Sequence, residues 1–424
     1  MERSATIGMM RKTLKRKREI EQNIVLGIFG DDAEDDMLLE YAILEDCSRE
    51  LINAAKAVDR ETLRRSYRYV PRSCLFLPVD SAFKHLFSSA NPNNSALSAL
   101  IRMSRATFDR IMLSANPLVC ARLDGFTSPR RNRRSLGRAY VLDAAGHLGL
   151  ALTWMATTMH DTPLGILFGL TNLSKPLRLG KLLLFDALKR ISLTACRANP
   201  DQLLASYAAL EATASYGPCP IPGIFPVGTM DCVVQFVFNH GDVITQNSFY
   251  SGKNGEPGAN NLTVGDFLGK TIFASLNWRG KRADSSLMTK SGVLAWLRSV
   301  LPPGGFIIAD DAFGLDGYYD IIWAGGRFNV GVVPGPWSPE TIEAFYYYCL
   351  KIRKSIEWNN HSYVSLWPRL RELLPASDTE ERGMRIELAV RLTNLVASFE
   401  ENHVQTKTVF QEGFLRGAYG QRVF

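Results

Sequence analysis

Phe306-Ile307-Ile308-Ala309 is an unbroken apolar run held between the helix-stopping Leu301-Pro302-Pro303-Gly304-Gly305 and the acidic pair Asp310-Asp311. A strand with one wet face alternates apolar and polar residues, so a continuous run of this length asks for cover on both faces. That requirement points to a central strand in an α/β architecture. Residues 292–300 read as a helix crossing over to that strand, which makes it parallel to an earlier one. Asp310 is then the next side chain to emerge at the strand's carboxyl end.

Earlier strands are expected after Gly217-Pro218-Cys219-Pro220-Ile221-Pro222-Gly223, whose proline density marks a linker. Segments 230–238, 243–249 and 271–276 are rich in valine, phenylalanine and other strand formers. They read as an antiparallel meander, with a glycine- and asparagine-rich loop before the third segment. Asp231 lies in the first of them. Downstream, Ser338-Pro339-Glu340 is a helix start, with a serine cap, proline in the first turn and a carboxylate at the positive end. Ile342, Phe345, Cys349, Ile352 and Ile356 then recur at steps of three and four as a buried stripe. Glu357 sits on its flank, where it could approach the aspartates or pair with Arg353 one turn earlier.

Residues 71–216 have helical periodicity instead. Leu97, Leu100, Ile101, Phe108, Ile111 and Met112 form one stripe. Ser128-Pro129-Arg130-Arg131-Asn132-Arg133-Arg134 is a loop dense in guanidinium groups, which can bind phosphate oxygens in a fork or simply be solvated. A short helix over 163–168, a turn over 169–172 and a helix from Ser174 carrying Lys175, Arg178 and Lys181 follow the order of a helix-turn-helix, an order shared with ordinary bundle corners. The chain thus divides into a charged arm (1–70), a helical region (71–216), an α/β domain (217–375) and a helix and tail (376–424). In the arm, Arg11-Lys12-Thr13-Leu14-Lys15-Arg16-Lys17-Arg18 reads equally as a nuclear import signal, a nucleic-acid arm or a solvated helix face.

The bulk properties add constraints without choosing a function. A formal charge of +7 and a pI near 9.0 fit a polyanionic partner. The seven cysteines are scattered, with no C-x-x-C pair, so free thiols in a reducing compartment are expected rather than zinc or a disulfide framework. The most apolar stretch, 139–159, is broken by Asp143 and His147, and no membrane association is expected.

Three strands, a helix, a buried strand and a long helix form the element order of a ribonuclease-H-like domain. Asp231, Asp310 and Glu357 fall where such a fold would converge acidic groups. Carboxylates brought together repel one another unless a cation lies between them. Oxygen ligands without thiolate or imidazole favour Mg²⁺ or Mn²⁺. A two-metal site of this kind activates the attacking oxygen and stabilises the leaving one at a phosphodiester.

Five ordered segments resemble the PIF/Harbinger-type transposases, whose nuclease domain is the DDE superfamily endonuclease. These are Val227-Gly228-Thr229-Met230-Asp231, Phe249-Tyr250-Ser251-Gly252-Lys253, Gly280-Lys281-Arg282-Ala283-Asp284-Ser285, Ile308-Ala309-Asp310-Asp311-Ala312-Phe313 and Arg353-Lys354-Ser355-Ile356-Glu357. Met103-Ser104-Arg105-Ala106-Thr107-Phe108 and residues 150–190 are similar to the family's helical region, so the likeness spans residues 71–374. The resemblance implies catalytic, metal-holding Asp231, Asp310 and Glu357, with Asp284 as a further ligand or support. It implies DNA contacts from Lys253 and Arg353 beside Arg130, Arg131, Arg133, Arg134, Lys175, Arg178 and Lys181.

It also implies metal-dependent cleavage and strand transfer on transposon ends or target DNA, in the nucleus with the cytoplasm as the alternative, with a Myb-like partner protein and a homo-oligomer. Departures are Cys232-Val233 where the family usually has Gly-Thr, Gly314 where it has proline, and Asn360-His361 where it has an aromatic-glycine pair. A domesticated, catalytically weak or inactive DNA-binding or chromatin-regulatory protein is the alternative expectation.

Overall fold

A computed structural model describes residues 78–88, 95–127, 142–212, 216–238, 242–252, 255–313, 321–325 and 335–399. The arm, the basic run 11–18, Arg130, Arg131, Arg133, Arg134, Lys253 and Gly314 lie outside the described residues. All described residues belong to one unit, 76–424. Among them no helix is long and apolar enough to cross a membrane.

The first helices are α1 (Ala82–Ser88), α2 (Ser95–Ile101), α3 (Arg105–Ser114), α4 (Pro117–Thr127), α5 (Ala144–Ala156), α6 (Asp161–Phe168), α7 (Ser174–Arg190) and α8 (Pro200–Glu211). The predicted stripe is buried or half-buried from Leu97 to Met112, but it belongs to two helices. Arg102 at φ 60° breaks the first, and Ser104 starts the second by accepting the Thr107 N–H. Every residue of α5 is buried, and Asp143 caps it by accepting the Gly146 N–H at 2.7 Å. Helix α7 lies so close to α5 that a Cβ on Gly180 would fall 2.2 Å from the His147 carbonyl oxygen, so only glycine permits this approach.

The sheet begins with β1 (Phe225–Phe236) and continues, after α9 (Val243–Phe249), with β2 (Tyr250–Ser251), β3 (Glu256–Gly265) and β4 (Thr271–Arg279). Helices α10 (Asp284–Lys290) and α11 (Val293–Val300) lead to β5 (Gly305–Ala309) and β6 (Ile322–Ala324). The last two helices are α12 (Pro339–Leu366) and α13 (Thr379–Phe399). Strand β1 pairs antiparallel with β3 on one side and parallel with β5 on the other. Beyond these, β4 and the short β2 pair antiparallel with β3, and β6 pairs parallel with β5. The result is a mixed α/β fold.

Two expected elements change places. Segment 243–249, read as the second strand, is helix α9, because the Asp242 carboxylate accepts the Ile244 and Thr245 N–H groups and nucleates a turn. The asparagine-rich stretch read as a loop is instead β3, buried between β1 and β4. Its polar side chains are satisfied internally. Asn261 donates to the Val233 and Ala259 carbonyls and accepts the Asn277 N–H, while Asn260 donates to the Arg282 carbonyl and to Asp284.

Side-chain alternation assigns the two faces of the sheet. Ile307, Ala309, Met230, Leu262 and Val264 pack with Leu287, Val293 and Leu297 of α10 and α11. Phe306 and Ile308 pack with Phe345, Cys349 and Ile352 of α12. Helix α13 is not amphipathic, since Leu388, Ala389, Val390, Leu392, Leu395 and Val396 are all buried. They share a core with the α5 and α7 side chains Leu148 and Leu184, so this helix ties the sheet to the helical region.

The β3–β4 turn closes around Asp266, whose carboxylate accepts the Leu268 and Lys270 N–H groups at 3.0 and 2.7 Å. Burial lifts its pKa from 3.8 to about 6, against the opposing pull of Lys270 and those N–H groups. The folded state therefore holds this proton more tightly than the unfolded chain. The associated stability is fully present below pH 3.8 and is lost as pH rises through about 6. Asp266→Asn keeps the accepting oxygen and removes the buried charge. In thermal unfolding it should exceed the parent at pH 8, by on the order of 1 kcal/mol, and lose that advantage at pH 4.

Candidate active site on β1 and after β5

In the parallel pair, Met230 of β1 lies opposite Ala309 of β5. Asp231 and Asp310 are the next residues on the two chains, and alternation turns both to the α12 face. The register places two carboxylates side by side because each follows a residue buried against α10 and α11. Asp311, the other acid of the pair, begins a short 3-10 turn and is exposed; its N–H binds the Asp310 carboxylate at 2.9 Å.

Helix α12 completes the site with Arg353, Glu357 and Asn360, spaced by four and three residues and so on one side of the helix. Ser338 caps its start by accepting the Thr341 N–H, and the predicted stripe from Phe345 to Ile356 is buried. The Ser355 hydroxyl meets that of Thr229 at 3.1 Å, fastening the helix to β1 two residues before Asp231. Asn360 donates its amide to Asp231 at 3.3 Å and accepts the Thr263 hydroxyl at 2.8 Å. Arg353 lies 3.4 Å from Asp310 and 3.7 Å from Glu357. The ion pair expected as an alternative role for Glu357 is therefore present, and it includes Asp310.

The other expected residues are placed differently. Asp284 begins α10 and accepts the Asn260 amide at 3.3 Å. Asn260 shares the sheet face of Leu262 and Val264, opposite to that of Asp231, so the structure does not bring Asp284 to the other three acids. Lys175 and Arg178 are exposed on α7. Lys181 is buried, 4.8 Å from the Trp154 ring and 2.5 Å from Glu381, so it serves the junction with α13 rather than an outer surface. Asn360 entered the sequence reading only as a departure from a family pattern. Its spacing from Arg353 and Glu357 was the signal that could have marked it.

Residues 230–394 match the family described as DDE superfamily endonuclease. This stretch is DDE-endonuclease-like. The match supports a nuclease domain of the transposase-like kind, and the DDE-endonuclease-like stretch contains Asp231, Asp310 and Glu357 together with the elements that position them. No curated protein and no solved structure matches the chain.

Among the described residues no group of three carboxylate, imidazole or thiol side chains stands close enough to hold one ion. The donor set is nevertheless of the kind that hard divalent cations take: Asp231, Asp310 and Glu357 offer carboxylate oxygens only, and a positive charge already lies between Asp310 and Glu357 in the form of Arg353. Asn360→Ala removes the nearer acceptor of the buried Thr263 hydroxyl and one donor to Asp231. Urea unfolding should show a loss of about 1–3 kcal/mol.

Proposed function

We propose that this chain is a metal-dependent DNA nuclease of the DDE kind, with a ribonuclease-H-like catalytic domain and PIF/Harbinger-type transposase ancestry. The observation that carries the reading is the register of β1 against β5, which sets Asp231 beside Asp310 on the face covered by the helix bearing Glu357. The strand order supports the fold assignment: three antiparallel strands, a helical crossover and two parallel strands. The divisions at 216 and 375 remain part of this proposal, drawn within the single unit 76–424.

Asp231 and Asp310 would hold Mg²⁺ or Mn²⁺, joined by Glu357. When bound, the metal supplies charge neutralisation at the scissile phosphate and a more acidic attacking oxygen. The chain's own residues orient the acids, with Asn360 fixing Asp231 and Arg353 tethering Glu357. Lys175 and Arg178, exposed on the second helix of a short-helix, turn and long-helix unit, are suited to phosphate contacts, and the loop arginines 130, 131, 133 and 134 extend this proposal. On this reading the substrate is transposon or target DNA in the nucleus, and a Myb-like protein and a second copy of the chain are the proposed partners.

The second reading is a DNA-binding regulator without cleavage, favoured by the engagement of Asp310 and Glu357 with Arg353. Nicking assays separate the two. Asp231→Asn, Asp310→Asn and Glu357→Gln should each reduce Mg²⁺-dependent nicking of cognate DNA by roughly a hundredfold or more, leaving DNA binding in place. Nicking unchanged in all three variants overturns the assignment. A parent protein that binds DNA with steep salt dependence but neither cuts it nor gains stability from metal supports the regulator.

A further inference from the structure

We propose that Arg353 is a resident counter-cation that competes with the divalent ion for Asp310 and Glu357, so that metal entry requires the guanidinium to leave. The inference rests on the metal-dependent reading above and adds a role for a residue of this chain. Arg353 is the group that joins the second aspartate to the glutamate. One guanidinium nitrogen lies 3.4 Å from Asp310 and another 3.7 Å from Glu357.

Both separations exceed the ~2.7–2.9 Å of a charge-assisted hydrogen bond. The Arg353 side chain is 26% exposed and that of Glu357 57% exposed, so water screens the contacts. Such pairs are weak enough to exchange partners. They are also well placed to relieve repulsion while no metal is bound, because Arg353 supplies positive charge where the two acids approach.

Asp231 has a different arrangement. Its carboxylate accepts the neutral Asn360 amide and the Cys232 N–H, at 3.3 and 2.7 Å. Both of these donors are neutral, in contrast to the guanidinium that meets Asp310 and Glu357. Entry at Asp231 and Asp310 would then draw Glu357 away from Arg353. The guanidinium lies against one oxygen each of Asp310 and Glu357, so it and an incoming ion draw on the same carboxylate charge.

The test is Mn²⁺ binding by calorimetry and Mn²⁺-dependent thermal stability of the full chain, comparing parent, Arg353→Gln, Arg353→Lys and Asp310→Asn. Arg353→Gln should bind Mn²⁺ about tenfold more tightly than the parent. Without metal it should melt lower, and Mn²⁺ should restore the difference. Arg353→Lys should stay near the parent, and Asp310→Asn should lose binding. Equal Mn²⁺ affinity in parent and Arg353→Gln, with binding still lost in Asp310→Asn, overturns the competition while leaving the metal site intact. Mn²⁺ binding absent from every variant overturns the competition and the metal-dependent reading together.

Discussion

Parallel pairing of β1 with β5 governs the rest of the structure, because it converts one-dimensional alternation into a shared face. Met230 and Ala309 lie opposite each other and are buried against the crossover helices. The residue after each must therefore turn toward α12. A slip of one position on either strand would bury a carboxylate among Leu287, Val293 and Leu297 and expose apolar surface in exchange. The same packing that stabilises the sheet thus selects which of the two acids at 310 and 311 faces its partner.

Setting two carboxylates on neighbouring chains, Asp231 within β1 and Asp310 just past β5, carries an electrostatic penalty, and the contacts of the two acids meet it differently. Asp231 accepts from two dipoles, the Asn360 amide and the Cys232 N–H. Asp310 is held by a charge, from Arg353, which also holds Glu357. Helix α12 supplies both forms of compensation from one side. Elsewhere, Lys181 and Glu381 fasten α7 to α13, and the Asn394 side chain bonds the Thr271 backbone on both sides, donating to its carbonyl and accepting its N–H. The helical and sheet portions consequently share a core.

Much of this was legible beforehand where local chemistry is strong. The buried run ending at Ala309, the capped start of α12 and the stripe from Phe345 to Ile356 each follow from periodicity or capping, which neighbouring residues decide. The exchange between α9 and β3 was not legible. Val243, Ile244 and Phe249 have strand-forming side chains, yet the Asp242 cap starts them as a helix. Asn260 and Asn261 look like loop residues, yet lie in a central strand because Arg282, Asp284, Val233 and Asn277 satisfy them from distant parts of the chain.

By itself the amino-acid order determined the α/β class, the ordered motifs and the identity of three candidate acids, since these depend on spacing within short segments. Only the tertiary structure decided that Asp284 stands on the opposite sheet face, that Lys181 is buried against Trp154 and Glu381, and that Asn360 and Arg353 divide the stabilisation of the acids between them. Those outcomes depend on side chains separated by up to 200 positions meeting across packed surfaces. Hydrogen bonding and charge compensation at such distances leave no periodic trace in the chain.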